Sequence, residues 1–98
     1  MAIRSFADPG TADIAHEVGS KSSRRKLPPS LHDAAYRKMV FLDNAQSLRD
    51  LANWQSLRLE KLKGDRKDRY SIRINDQYRI CFRWLGADAA DVEIVDYH

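Results

Sequence analysis

At 98 residues the chain is long enough for one modest hydrophobic core and too short for two, so a single domain over residues 1–98 and no second catalytic module are expected. Hydrophobic residues make up 43% and charged residues 32%, the balance of a soluble globular fold. No window reaches the roughly 20 apolar residues of a transmembrane helix and the first residues lack the apolar stretch of a signal peptide, which predicts a cytoplasmic protein without membrane contact.

Residues 2–6 alternate weakly and predict a short strand, ended by a turn at Asp8, Pro9 and Gly10. Residues 11–18 predict a short helix closed by Gly19. Residues 20–26 are polar, basic and free of apolar periodicity, so a loop is expected there, running on to Pro29. Pro28 and Pro29 stop any helix from the left, and Ser30 with Asp33 three residues later matches a helix start. Leu31, Ala35, Met39 and Leu42 then share one helical face, and residues 45–51 predict another turn or two in which Leu48 and Leu51 continue it. Trp54 is expected to pack near the end of that stretch as a core aromatic, like Tyr78 and Trp84. His16 and His32 have no metal-ligand spacing around them and read as surface residues. A single cysteine, Cys81, can form neither an internal disulfide nor a thiolate zinc site and reads as a plain strand residue.

From Leu57 onward the period changes to two. Tyr70, Ile72 and Ile74 alternate with polar residues, and so do Tyr78, Ile80, Phe82 and Trp84, which predicts a β-hairpin. Val92 and Ile94 set the inward face of a last strand. The sum is an α+β fold, a mostly antiparallel sheet with two or three helices packed on one face.

Turn parity decides which hairpin residues share a face. A two-residue loop would pair Ile74 with Arg79 and mix the faces, whereas a three-residue loop pairs Ile74 with Tyr78, Ile72 with Ile80 and Tyr70 with Phe82. The three-residue loop puts Arg73 across from Arg79, Arg69 across from Arg83 and Ser71 across from Cys81. Like charges directly opposed across strands are destabilising, so four arginines on one face call for a compensating partner. A polyphosphate backbone would supply one, because guanidinium binds phosphate bidentately. The alternative is an ordinary solvated face whose arginines pair with Asp91, Glu93 and Asp96. Charge is segregated along the chain: nine basic and four acidic residues lie between Arg58 and Arg83, and beyond Arg83 there are only acids, Asp88, Asp91, Glu93 and Asp96. The net charge of +3 permits a nucleic-acid partner without demanding one. The basic residues 21–26 read as a solvated loop to which no chemistry is assigned.

Three segments taken together resemble a known family: residues 59–66, with Leu62, Lys63, Gly64, Asp65 and Arg66; residues 70–82, from Tyr70 through Asn75, Asp76 and Gln77 to Phe82; and Asp96, Tyr97 and His98. Their order and spacing over the last 40 or so residues are similar to those of the HigB toxins of the RelE-like family, within the wider ParE and RelE toxin superfamily. The resemblance implies a toxin of a type II toxin-antitoxin module, a metal-independent endoribonuclease or mRNA interferase that cuts messenger RNA in the ribosomal A site. It also implies a helix-turn-helix antitoxin like HigA, with operator DNA reached only through the toxin-antitoxin complex, and it calls for no cofactor. Carried over by position, Lys63, Arg79, Asp96, Tyr97 and His98 match residues used for cleavage. Arg69, Arg73, Gln77 and Arg83 fall to RNA binding. Glu60 stands where some members have a histidine, so the base is either Glu60 or His98.

That chemistry needs a 2′-hydroxyl deprotonated, a pentavalent phosphate stabilised and a leaving 5′-oxygen protonated. Histidine suits the proton transfers because its ordinary pKa, about 6.5, lies near working pH. Arg79 and Lys63 suit the middle task by presenting fixed positive charge where negative charge grows. Tyr97 could stack on a base and Asp96 could orient His98. No glycine-rich phosphate loop or nucleophile elbow is present. The rival reading, from another class, is a noncatalytic RNA- or ribosome-binding module that grips through the arginine face.

Overall fold

The computed structural model describes residues 2–62 and 68–96. Helices α1 (Pro9–Ala15), α2 (Lys21–Lys26), α3 (His32–Asn44) and α4 (Leu48–Asn53) precede strands β1 (Glu60–Lys61), β2 (Arg69–Arg73), β3 (Tyr78–Leu85) and β4 (Asp88–Asp96). The strands form one antiparallel sheet in the order β1-β2-β3-β4. One face of the sheet carries Ile72, Ile80, Phe82, Val92 and Ile94, all at most 1% exposed, against Leu42 of α3 and Leu51 of α4. The expected α+β architecture with helices on one sheet face is therefore the observed one. No helix among the described residues is long and apolar enough to cross a membrane.

The first helix is set by its cap. Asp8 accepts from the Thr11 backbone N–H at 2.7 Å and from the Thr11 hydroxyl at 3.0 Å, while Pro9 supplies a preset φ at the first helical position. Thr11 is fully buried, and its Oγ1 accepts from the Ile94 backbone N–H at 3.1 Å, so the cap also ties α1 to β4. Lys26 Nζ lies 3.0 Å from Asp8 Oδ2. Partial burial on its own would raise the Asp8 carboxyl, but the hydrogen bonds from the Thr11 backbone, Lys26 and the Thr11 hydroxyl outweigh it and hold the group below the ordinary carboxylate value. A depressed folded-state pKa stabilises the fold above the unfolded value of about 3.9 and ceases to do so as pH falls through the folded value. Asp8→Ala should cost about 1 kcal/mol, the typical worth of an N-cap, and lower Tm by roughly 4–8 °C at neutral pH. The gap between wild type and variant should narrow in thermal melts taken below pH 4; a gap that is constant with pH would remove the carboxylate from the account.

Residues 21–26 form a helix, where the sequence reading expected a loop. Nothing in their apolar pattern signals it; the stabilisation comes from a capping box and a close crossing. Ser20 accepts from the Ser23 backbone N–H at 3.0 Å, and Ser23 returns the bond to the Ser20 N–H at 3.0 Å. At Gly10 an added Cβ would come within 2.8 Å of Lys26 Cβ and 2.7 Å of the Ser22 carbonyl oxygen, so only glycine lets α1 and α2 touch this closely. Leu27, 1% exposed, anchors the end of α2 in the core.

The start of α3 also differs. Pro29–Leu31 is a 3-10 turn, the helix begins at His32, and Ser30 is not its cap. The expected face holds, with Ala35, Met39 and Leu42 buried and Leu31 packed at its margin. Trp54 departs from expectation in being 51% exposed; it leans on Phe41, ring centroids 4.3 Å apart, rather than entering the core. Tyr78 and Trp84 do pack against the core, each partly buried. His16 is exposed at the edge of the Phe6 ring, and His32 Nε2 lies 2.7 Å from the Leu27 carbonyl oxygen.

Residues 2–6 do not form a named strand. Instead they run parallel beside β4 through single bridges, Ile3 to Ala89 and Phe6 to Val92, with backbone hydrogen bonds from Arg4 N to Ala89 O at 2.7 Å and from Ala7 N to Val92 O at 2.9 Å. Between the two bridged positions β4 carries a bulge against β3. Its register against β3 jumps from Cys81–Glu93 to Arg83–Ala90, and Asp91 takes the left-handed φ of 51° that the bulge needs.

Candidate functional site

The β2–β3 register is Arg73 to Arg79, Ile72 to Ile80, Ser71 to Cys81, Tyr70 to Phe82 and Arg69 to Arg83, the pairing that a three-residue loop demands. Because β1 pairs Glu60 with Ser71, the polar face carries a row Glu60, Ser71, Cys81, Glu93 across all four strands. On one side of that row stand Arg73 and Arg79, and on the other Arg69 and Arg83.

Arg79 crosses this row. Its Nη1 donates to Ser71 Oγ at 3.0 Å and to the Arg58 carbonyl oxygen at 3.3 Å, and its Nη2 donates to Glu60 Oε1 at 3.0 Å. The guanidinium is thus held over β2 and β1, where its side chain is 12% exposed and Ser71 beneath it is fully buried. Arg58 presents its carbonyl from a left-handed conformation, φ 48°, at the end of the 3-10 turn Gln55–Leu57. Glu60 remains 52% exposed and so reachable from solvent.

Two of the other arginines also pair with acids. Arg73 pairs with Asp76 in the hairpin loop. Arg83 donates to Asp68 at 3.1 Å and to Asp91 at 3.4 Å, and the Asp68 hydrogen bond, followed by that of Asp91, raises the guanidinium pKa above its ordinary value. For Arg73, Arg79 and Arg83 the compensating partner that like charges require is therefore supplied from within the chain. Of the acids named from the sequence, Asp91 does pair with an arginine, while Glu93 lies 3.9 Å from Lys26 and Asp96 accepts from Gln77 Nε2 at 3.2 Å.

Two clusters result. Arg73, Arg79, Glu60 and Ser71 gather toward the hairpin loop, and Arg69 and Arg83 lie four residues further along their strands, roughly 13 Å away. One phosphate cannot touch both clusters, but a phosphodiester chain can. Asp96 pairs with Tyr78, one position beyond the Val95 that faces Arg79, and strand alternation sends its side chain off the opposite face of the sheet. The structure joins Asp96 to Gln77 at the hairpin end. Lys63, Tyr97 and His98 lie outside the described residues. Among the described residues no group of three or more His, Cys, Asp or Glu side chains is arranged to hold a metal ion.

Two contributors were absent from the sequence reading: the Ser71 hydroxyl and the Arg58 carbonyl. Parity already placed Ser71 among the arginines, and a small hydroxyl at the centre of that row was the available signal. Nothing local marks Arg58, whose part depends on backbone conformation.

The family profile described as the RelE-like toxin HigB of type II toxin-antitoxin systems matches residues 13–98. The chain is 31% identical over 96 residues to the Endoribonuclease HigB of Proteus vulgaris, covering 98% of this chain and 99% of that one. It is 43% identical over 65 residues to Toxin HigB-1 of Vibrio cholerae serotype O1, covering 66% of this chain and 68% of the relative. The fold is that of the YoeB dimer from Staphylococcus aureus, matched at a TM-score of 0.54 and 15% identity over 100% of this chain and 99% of that one.

Proposed function

The chain belongs to the RelE-like HigB toxins of type II toxin-antitoxin systems, and from that premise we propose that it is an endoribonuclease that cuts messenger RNA during translation. The observation that carries this reading is the guanidinium of Arg79, fixed by three acceptors beside a solvent-accessible carboxylate on a face whose remaining arginines can follow an RNA backbone. A preset positive charge is what a pentavalent phosphate requires, since it need not reorganise as the charge develops. In this reading Arg79 and Lys63 stabilise the phosphorane, and Glu60 or His98 takes the proton of the 2′-hydroxyl. Asp96 and Tyr97 position the reacting nucleotide or His98, while Arg69, Arg73, Gln77 and Arg83 hold the flanking phosphates. Cleavage balances without a metal: the 2′-oxygen bonds to phosphorus, the bond to the 5′-oxygen breaks, and one proton moves from the first oxygen to the second.

The partners in this reading are the ribosome, messenger RNA and a helix-turn-helix antitoxin, with operator DNA engaged only through the antitoxin complex. Primer extension on a reporter message, translated or blocked at initiation, tests it. Discrete new 5′ ends should appear on addition of the protein and only where the message is translated. Equal cutting of untranslated message would remove ribosome dependence, and growth arrest without new ends would turn the protein into a noncatalytic binding module. Co-expressed antitoxin should form a stable complex and restore growth.

A further inference from the structure

We propose that Ser71 is a positioning residue for Arg79, an inference that rests on the cleavage reading above. Ser71 is a fully buried polar side chain at the centre of the face that carries the four arginines, and its Oγ accepts from Arg79 Nη1 at 3.0 Å. The same nitrogen donates to the Arg58 carbonyl oxygen at 3.3 Å, so both of its hydrogens are directed at acceptors fixed by the backbone and by burial. The third acceptor, Glu60, is different in kind: it is half exposed and on a flexible stem, so it is free to exchange water or substrate for Arg79. When an RNA phosphate draws on the guanidinium and Glu60 lets go, Ser71 and the Arg58 carbonyl are what hold the charge in place.

The geometry explains why serine suits this position. Ser71 lies directly between Glu60 and Cys81 in the register, under the path that Arg79 takes across β2. A side chain much larger than serine or threonine would lift the guanidinium off the sheet, and an apolar one would take the hydroxyl acceptor away from Nη1. Small misplacements of a group that stabilises a transition state lower the rate far more than they lower binding. Loss of the Ser71 hydroxyl should therefore appear in the catalytic rate constant and leave the half-saturating concentration nearly unchanged.

The test measures single-turnover cleavage of message on programmed ribosomes for wild type, Ser71→Ala, Ser71→Thr, Arg79→Lys and the Ser71→Ala/Arg79→Lys pair. Ser71→Ala should cut about tenfold more slowly at saturation, with half-saturation within twofold of wild type and a melt showing a folded protein. Ser71→Thr keeps the hydroxyl and should retain most of the rate. In the Arg79→Lys background, where no guanidinium remains to be held, Ser71→Ala should cause no further loss. Nitrogen-15 NMR of the free protein reads the same contact without activity: the Arg79 Nη signals should be restrained in wild type and averaged by free rotation in Ser71→Ala. The inference is overturned if Ser71→Ala cuts at the wild-type rate with unchanged Arg79 signals, or if it loses the same factor with lysine at position 79. Failure of wild type to cut would instead sink the cleavage reading, while the NMR result would still decide whether Ser71 holds Arg79.

Discussion

Arg79→Ala is expected to abolish growth inhibition and to lower cleavage by roughly 10²–10³, the loss that follows removal of one preorganised charge-stabilising group. The protein should stay folded. The pair that Arg79 makes with half-exposed Glu60 belongs to the class of ion pairs worth about 0–1 kcal/mol, and the core on the other sheet face does not involve it. Melting temperature and expression level measured beside toxicity separate the two effects. Full toxicity at equal expression would take Arg79 out of the reaction. A protein that no longer folds would make its role one of covering Ser71, which is fully buried beneath it.

The second large effect is expected at the other end of the reaction. His98→Gln keeps hydrogen bonding but cannot move a proton near neutral pH, and losing a general acid or base typically costs roughly 10²–10⁴ in rate. Ribosome binding, followed by co-sedimentation, should survive, because the arginine face is untouched. Glu60→Gln is the informative companion. In the structure Glu60 is joined to Arg79, so its replacement removes a restraint on the guanidinium as well as a carboxylate. If His98→Gln cuts normally and Glu60→Gln is dead, the base is Glu60. If both are slow, a pH–rate profile separates them: loss of a titrating base removes a limb of the curve, whereas a displaced Arg79 lowers the whole curve without changing its shape.

The hairpin was legible from the chain alone because side-chain alternation excludes the two-residue loop, which would mix the faces, and the three-residue loop keeps Ile72, Ile74, Ile80 and Phe82 on one face. The arginine face followed from the same count. What did not follow was anything decided by tertiary contact. Residues 21–26 have no apolar stripe, and their helix depends on Gly10 of another helix and on a serine serving where a glutamate or glutamine is the usual sign. The pairing of Arg79 with Glu60 depends on a two-residue strand too short to show a period. The bulge at Asp91 depends on a left-handed residue that is not glycine. Trp54 was misjudged because aromatic size is a guide to burial only where a neighbour covers both faces of the ring.

The parallel bridges from Ile3 to Ala89 and from Phe6 to Val92 join segments far apart in the chain. Contacts of such long sequence separation are slow to form. Leu42, Leu51 and Leu57 lie close together in sequence and can gather early, yet the surface they cover is presented by β3 and β4, which follow them in the chain. The arginine face therefore takes shape only once β2 and β3 have paired, later than the helices that pack against the opposite face of the sheet.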